Sequence, residues 1–378
     1  MRTVTWGLHP AIAVAAIAVA ATAVFCALDG AWALDVDATM SKAEARLDTG
    51  DFDGALRAAD AVVTAAGSNP EAYHCRFRVY LARAQDEDAL ADINRAIELA
   101  PANAKYLAAR GELHLARHKQ DAALKDLDAA IDADDAYAPA YRLRAQLYVA
   151  QRRPELALGD AMKAVDLLPD DAAAYVVRGD AFSMTKEYAK ACTDYVKATK
   201  LGPECAETWR ALAVHKLRMG KEPRRAIDTL DRAIALEPLD ASSRLLRAKA
   251  RLAARDESLI PLALEDLAEA IRLDPDNCEA YLTRAVIERQ REEYASALAD
   301  LRRALALEPK HPACRQLWDT IHKQDSERLI SEAETFLNKG KYDEAAARVE
   351  KTLEIDPTSE AFQEALQIIE AQRKRRSR

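Results

Sequence analysis

The chain has 378 residues, half of them hydrophobic but only 6% aromatic, with 54 basic and 62 acidic side chains giving a net charge of −8. That balance excludes a nucleic-acid-binding surface over most of the molecule. With 11 glycines and 14 prolines tight turns are few, and the length points to an array or to two domains rather than one compact body.

In chain order, Arg2 is followed by an uncharged run from Ala11 to Leu28, broken at Asp29 and Gly30. Ala31-Trp32-Ala33 then supplies small residues at the two positions a signal peptidase reads. Residues 1–33 are expected to be a secretory signal cleaved after Ala33, leaving 345 residues. The alternative is an uncleaved membrane anchor, for which the run is borderline against the ~20 residues of a spanning helix. The expected location is the periplasm, free or anchored facing it; a eukaryotic secretory lumen is the alternative. Beyond the leader stand Cys75, Cys192, Cys205, Cys278 and Cys314, no two of them at a metal-ligand spacing. Cys278 and Cys314 open neighbouring predicted helices and are the candidates for a disulfide; isolated buried thiols are the other reading.

A repeat dominates the rest. Amphipathic segments ending Ala96-Ile97-Glu98-Leu99-Ala100-Pro101, Ala233-Ile234-Ala235-Leu236-Glu237-Pro238 and Ala270-Ile271-Arg272-Leu273-Asp274-Pro275 each run into a stop. Stops at Pro101, Asp135, Pro169 and Pro203 are 34 residues apart, and Pro238, Pro275 and Pro309 follow at 35, 37 and 34. Two short helices joined by a tight turn fit that period, provided small residues stand where they cross. The crossing residue of the second helix is Ala55, Ala89, Ala123, Ala157, Ala191, Ala226, Ala263, Ala297 or Ala345. Facing it are Ala43, Phe77, Gly111, Ala145, Gly179, Ala213, Ala248, Ala285 and Ala333. Most first helices open on Tyr73, Leu107, Tyr141, Tyr175, Trp209, Tyr281 or Leu329, which can wedge against the preceding unit.

From roughly Val36 to Ser359 these positions resemble the tetratricopeptide repeat family. The resemblance implies an all-α, right-handed superhelical solenoid of about nine helix-turn-helix repeats, with first helices lining a concave groove. Eight repeats occupy 36–311. Residues 312–325, with Leu317, Trp318 and Ile321 on one face, form a helical insert continuing into the ninth repeat at 326–359. A capping helix and basic tail fill 360–378, with Phe362, Ala365, Leu366 and Ile369 as the covering face. The glycine the family favours at the turn appears as Gly50, Gly220 and Gly340; elsewhere Ala84, His118, Arg152, Lys186, Arg255 and Glu292 stand there, so those turns should carry strain.

A charge pattern rides on the repeat. Arg76, Arg110, Arg144, Arg178, Arg247 and Arg284 recur at one position of the first helix, and Asp92, Asp126, Asp160, Asp194, Asp266 and Asp300 at one position of the second. The sixth unit loses both, at Leu212 and Thr229, and the ninth swaps them as Glu332 and Arg348. Joint loss and exchange predict a partly buried structural ion pair in each unit rather than a ligand-binding row.

For the groove itself, the resemblance implies that His74, Arg78, Glu112, Arg142, Gln146, Asp180, Arg210 and Lys249 line it as a polar surface of mixed sign. A subfamily that grips acidic chaperone C-termini uses asparagines at positions held here by Cys75, Ala109, Leu143 and Val177, and by Arg78, Glu112, Gln146 and Asp180, so that clamp is absent. No phosphate loop, nucleophile elbow or zinc-protease signature occurs. His114 and His118, four apart, form either a metal-binding helical pair or a chance one. No cofactor or metal is implied. The expected function is an exported scaffold or adaptor for protein or peptide partners; a chaperone-like holder of extended clients is the alternative, and an enzyme the third class. The terminal Arg373-Lys374-Arg375-Arg376-Ser377-Arg378 could add weak contact with an anionic surface.

Overall fold

A computed structural model describes residues 35–353 and 359–376. The leader at 1–33, Pro357 and the last two residues of the basic tail lie outside the described residues. The described chain folds into nineteen α-helices and one 3-10 turn, with no strand among the described residues. It divides into two compact units, Met1–Pro169 and Asp170–Arg378. The boundary falls inside the run of eight repeats rather than after it. In a nearest-neighbour array no long-range contact forbids such a division.

The first unit holds four helix pairs. They are α1 (Val36–Asp48) with α2 (Phe52–Ala65), α3 (Pro70–Ala82) with α4 (Asp86–Leu99), α5 (Ala104–Ala116) with α6 (Gln120–Ala133), and α7 (Ala138–Ala150) with α8 (Pro154–Leu167). The second unit holds α9 (Ala172–Met184) with α10 (Tyr188–Leu201), α11 (Ala206–Met219) with α12 (Pro223–Leu236), and α13 (Ala241–Ala253) with α14 (Ile260–Leu273). After these come α15 (Cys278–Gln290) with α16 (Tyr294–Leu307), α17 (Pro312–Asn338) with α18 (Tyr342–Leu353), and finally α19 (Glu360–Arg376). No helix among the described residues is long and apolar enough to cross a membrane.

Side chains just outside the helices set where the first helices begin. Asp35, Asn69, Asn103, Asp171, Asp240 and Asn277 each accept a hydrogen bond from a backbone N–H of the first turn. Where the two helices of a pair cross, all nine alanines of the second helix are fully buried. The two glycines facing them are required by contact. A Cβ at Gly179 would stand 2.9 Å from the Tyr195 ring, and one at Gly111 3.0 Å from Leu127. The turn inside each pair passes through the left-handed region, at φ 65–77° for Gly50, Gly220 and Gly340. Ala84, His118, Arg152, Lys186, Arg255 and Glu292 adopt it without glycine at φ 53–66°, so six turns carry the strain that a Cβ imposes there. In the seventh pair the longer connection forms the 3-10 turn Glu257–Leu259.

The periodic charges form bidentate clamps. Arg76 donates to Asp92 at 2.7 and 2.8 Å, and Arg110 to Asp126 at 2.7 Å from both Nε and Nη2. Arg144–Asp160, Arg178–Asp194, Arg247–Asp266 and Arg284–Asp300 repeat the geometry at 2.6–2.9 Å. The exchanged pair joins Arg348 to Glu332 at 2.8 Å. In the sixth unit, where both partners are missing, Lys216 donates to Thr229 at 2.9 Å instead.

Sequence reasoning missed the third arm of the arginine. Nη1 of Arg76, Arg110, Arg144 and Arg247 reaches back to Asp60, Asn94, Asp128 and Asp231 on the second helix of the preceding pair, at 2.6–2.9 Å. Each acceptor stands sixteen residues before its arginine, the interval that separates Arg76 from Asp92 in the other direction. The guanidinium therefore ties its own pair together and ties that pair to the one before it. Tyr73, Tyr141, Tyr175 and Tyr281 lie three residues earlier with the guanidinium 5.1–6.0 Å from their ring centroids, a cation–π contact.

In the second unit, α17 runs unbroken for 27 residues. Ile321 and Trp318 pack into the core of α15 and α16. Leu329 and Ala333 pack into a separate core with Val349, Phe362 and Ile369, so Trp318 packs against core and α19 covers the final pair. Of the basic tail, Arg373 pairs with Asp343 at 2.9 Å.

Because the aspartates are more buried than their arginines, removing the arginine should be the costlier change. Arg110→Met should lower the unfolding free energy by about 3 kcal/mol, near the lower end for breaking a buried pair because the arginine keeps some solvent. Arg110→Met with Asp126→Leu should recover most of that loss, measured as the urea unfolding midpoint; equal midpoints for the single and double variants would contradict the clamp.

Candidate functional site

A cleft of 440 Å³ lies in the first unit. Leu47 of α1; His74, Phe77, Arg78 and Leu81 of α3; Lys105, Ala108, Ala109 and Glu112 of α5; and Pro139, Arg142 and Leu143 of α7 line it, with Tyr137 just before α7. Every lining helix is the first of its pair, because the second helices carry the crossing alanines and pack outside them. The floor is apolar, built from Phe77, Ala108 and Leu143, all buried. Charged groups stand around it.

Of the eight groove residues expected from sequence, His74, Arg78, Glu112 and Arg142 meet in this cleft. Gln146 is exposed on α7 outside it, and Asp180, Arg210 and Lys249 belong to the second unit. Most of these charges are already engaged within the protein. Arg78 donates to Glu44 at 2.6 Å, Arg210 to Asp240 at 2.7 Å and Lys249 to Glu279 at 2.7 Å. Asp180 accepts from the Tyr195 hydroxyl at 2.6 Å. Lys105 joins this scheme by donating to Glu71 at 2.5 Å. The donor and acceptor lie 30–34 residues apart in the charged pairs between helices, about one repeat, so each links consecutive first helices. The signal was available in the sequence as opposite charges one repeat apart.

His74 lines the cleft from below rather than from the rim. It lies almost wholly buried, between Phe77 and Tyr106 with ring centroids 5.8 and 5.3 Å away. It serves as part of the floor rather than as a polar contact. Burial, then the charge of Lys105, push its pKa down to about 4. Nδ1 stands 3.6 Å from Glu71, which would favour protonation. That carboxylate, however, already accepts from Lys105 and from the Tyr106 hydroxyl at 2.6 Å. Those two bonds outweigh burial and hold Glu71 below the usual carboxylate range. The His114–His118 pair does not form a helical site: α5 ends at Ala116, and His118 sits in the turn at φ 56°.

The neutral imidazole makes stability depend on pH. The unfolded histidine takes up a proton near pH 6.5 and the folded one only near 4, so the unfolded chain binds more protons between those values. The contribution of His74 is complete above pH 6.5 and is lost as the pH falls towards 4, by at most about 3 kcal/mol. His74→Phe should remove this part of the acid sensitivity, seen as a difference from the parent urea midpoint that shrinks from pH 7 to pH 4. A difference constant across that window would contradict the assignment.

With this geometry in view, similarity to known proteins is informative. The sequence profile of the tetratricopeptide repeat matches residues 142–204 and 252–312. DnaJ homolog subfamily C member 3 of Gallus gallus is 30% identical over 132 residues, 35% of this chain and 25% of that protein. The Homo sapiens protein of that name is 28% identical over 133 residues, with the same shares. The chain thus spans about a quarter of the length of the curated relatives it matches. Among solved structures, the APC/C hetero-tetramer Cut9–Hcn1 contains a chain that aligns with a TM-score of 0.63 at 15% identity, over 75% of this chain and 55% of that one, a likeness of fold. The chain carries tetratricopeptide repeats within an all-α array of helix-turn-helix pairs.

Proposed function

We propose that this chain is an exported scaffold that holds an extended segment of a partner protein in the cleft formed by α1, α3, α5 and α7. The cleft carries the proposal: four consecutive first helices bring an apolar floor and a charged rim to one concave surface, the combination that recognises a peptide. Rim charges such as Arg78 and Lys105 are held by internal partners, so they select by fixed geometry, while the floor of Phe77, Ala108 and Leu143 supplies the apolar contact. That floor also favours a second reading, a holder of extended clients with little sequence preference. A scaffold captures a small constant set of partners and a holder captures many.

The segment before the array supports export. The uncharged run from Ala11 to Leu28 and the small residues at Ala31 and Ala33 have the pattern of a cleaved leader. Asp35 caps α1 directly beyond it, so cleavage after Ala33 would leave the first pair intact.

Two measurements test this. Ala109→Trp fills the cleft and Glu112→Arg reverses a rim charge; each should reduce partner capture from an envelope extract by at least about tenfold, the cost of ~1.4 kcal/mol of binding. Lys125→Glu, on the exposed side of α6, should leave capture unchanged, and equal capture by all three variants would remove the cleft from the mechanism. Separately, N-terminal sequencing of the envelope-extracted protein should begin at Leu34, whereas an intact Met1 would identify the segment as an uncleaved anchor.

A further inference from the structure

One side-chain cluster in the second unit has no part in the cleft. Cys278 is the first residue of α15, Cys314 is the third of α17, and His311 caps α17 from the position before it. Both sulfurs are buried and His311 is half-buried. The two Sγ atoms stand 3.9 Å apart, and one donor atom from each of the three residues lies within 4.8 Å of the other two.

That spacing separates two chemistries. Two thiolates held on one ion at about 2.3 Å stand about 3.8 Å apart at a tetrahedral angle and about 4.0 Å apart at a trigonal one. A disulfide would need about 2.0 Å. The sulfurs already have the separation of two ligands sharing one ion, and the half-buried imidazole offers a third donor within the same reach. Two thiolates and an imidazole form a soft to borderline set, which selects Zn(II) or Cu(I) over magnesium or calcium. We propose that Cys278, His311 and Cys314 bind one such thiophilic d10 cation, which cross-links the first helices of the last two pairs.

The surroundings fit a cation. Burial pushes both thiols up, Cys314 to about 12, and the Glu279 and Glu308 carboxylates act on both in the same direction. The negative potential that disfavours a bare thiolate favours a bound metal ion. Binding displaces the two thiol protons, so affinity should rise with pH. Existing hydrogen bonds must be given up: the Cys278 thiol donates to the Ala304 carbonyl oxygen at 3.6 Å, and the two thiols share a hydrogen bond. Nδ1 of His311 accepts from the Cys314 N–H at 3.2 Å, and a neutral imidazole has a single nitrogen lone pair to offer. The ligand set was hidden in sequence because the two cysteines belong to successive repeats, with only His311 and Cys314 at a motif-like spacing.

The test uses the full chain on a histidine-free tag, purified without chelator. Elemental analysis should find one zinc or copper per chain, and the result decides between the two. After chelation, Co(II) titration should give an intense thiolate-to-cobalt charge-transfer band and tetrahedral visible bands, while Cu(I) is scored by competition with a chromogenic chelator. Cys278→Ser and Cys314→Ser should each weaken binding by more than about 100-fold and His311→Ala by at least about tenfold, the scale of losing a metal contact. Cys192→Ser should change nothing. The proposal is overturned if the unaltered, fully reduced chain shows neither metal nor a cobalt spectrum, or if mass spectrometry recovers Cys278 and Cys314 as a disulfide in the isolated protein. Because that reading rests on the unaltered chain, a variant that fails to fold does not rescue it.

Discussion

The array depends on a planar guanidinium held in three directions. Two alanine-lined helices can slide along one another, since alanine contacts are nearly featureless and confer little register. The bidentate bond from Arg110 to Asp126 fixes one helix against the other, and the third arm to Asn94 fixes that pair against its predecessor. Lysine, with one compact ammonium, could not serve both directions with the same planarity. Such a clamp contributes more to register than to net stability, because desolvating both charges offsets much of their attraction. Apolar burial at the crossings supplies the driving force, and the clamp selects which crossing is made.

This economy of charge extends to the links between first helices. Arg78 and Lys105 in the first unit, and Arg210 and Lys249 in the second, each bond a carboxylate about one repeat away, so within each unit consecutive first helices are tied to one another. Around the cleft, the positions of Arg78 and Lys105 are therefore already set, so binding there would cost less ordering of long side chains than on a surface of free lysines and arginines.

What the sequence made legible follows from periodicity. Nine crossing alanines, the helix stops and the Arg–Asp covariation within one chain are repeated observations, so a single sequence acts as its own comparison. The turn residues were legible for the same reason, and Ala84 and Glu292 take the left-handed conformation although neither is glycine. The third arm of the arginine and the pairs between first helices leave in the sequence only charges or amides at a fixed offset, and it takes the stacking geometry to bring those side chains together. The burial of His74 was not legible for another reason. Its position on the helix faces the cleft, but a neighbouring Phe77 and Tyr106 cover it, and the sequence period gives direction without depth.

The long α17 shows how an array of this kind can end. Its first half belongs to the core with α15 and α16, and its second half belongs to the core with α18 and α19. Contacts that join the two cores include His322 between Trp318 and Phe362 at 6.0 and 6.1 Å and the Arg328 guanidinium 5.3 Å over the Tyr294 ring. In a nearest-neighbour array stability is a sum over interfaces, so the weakest interface sets where the end frays. The final pair also lacks a bidentate arginine clamp of the usual polarity, its exchanged Arg348–Glu332 contact being more exposed than the others. A cross-link at Cys278, His311 and Cys314 lies at the start of α17, where fraying of the final pair would otherwise propagate into the array. The cluster therefore sits where one additional constraint would extend cooperativity furthest.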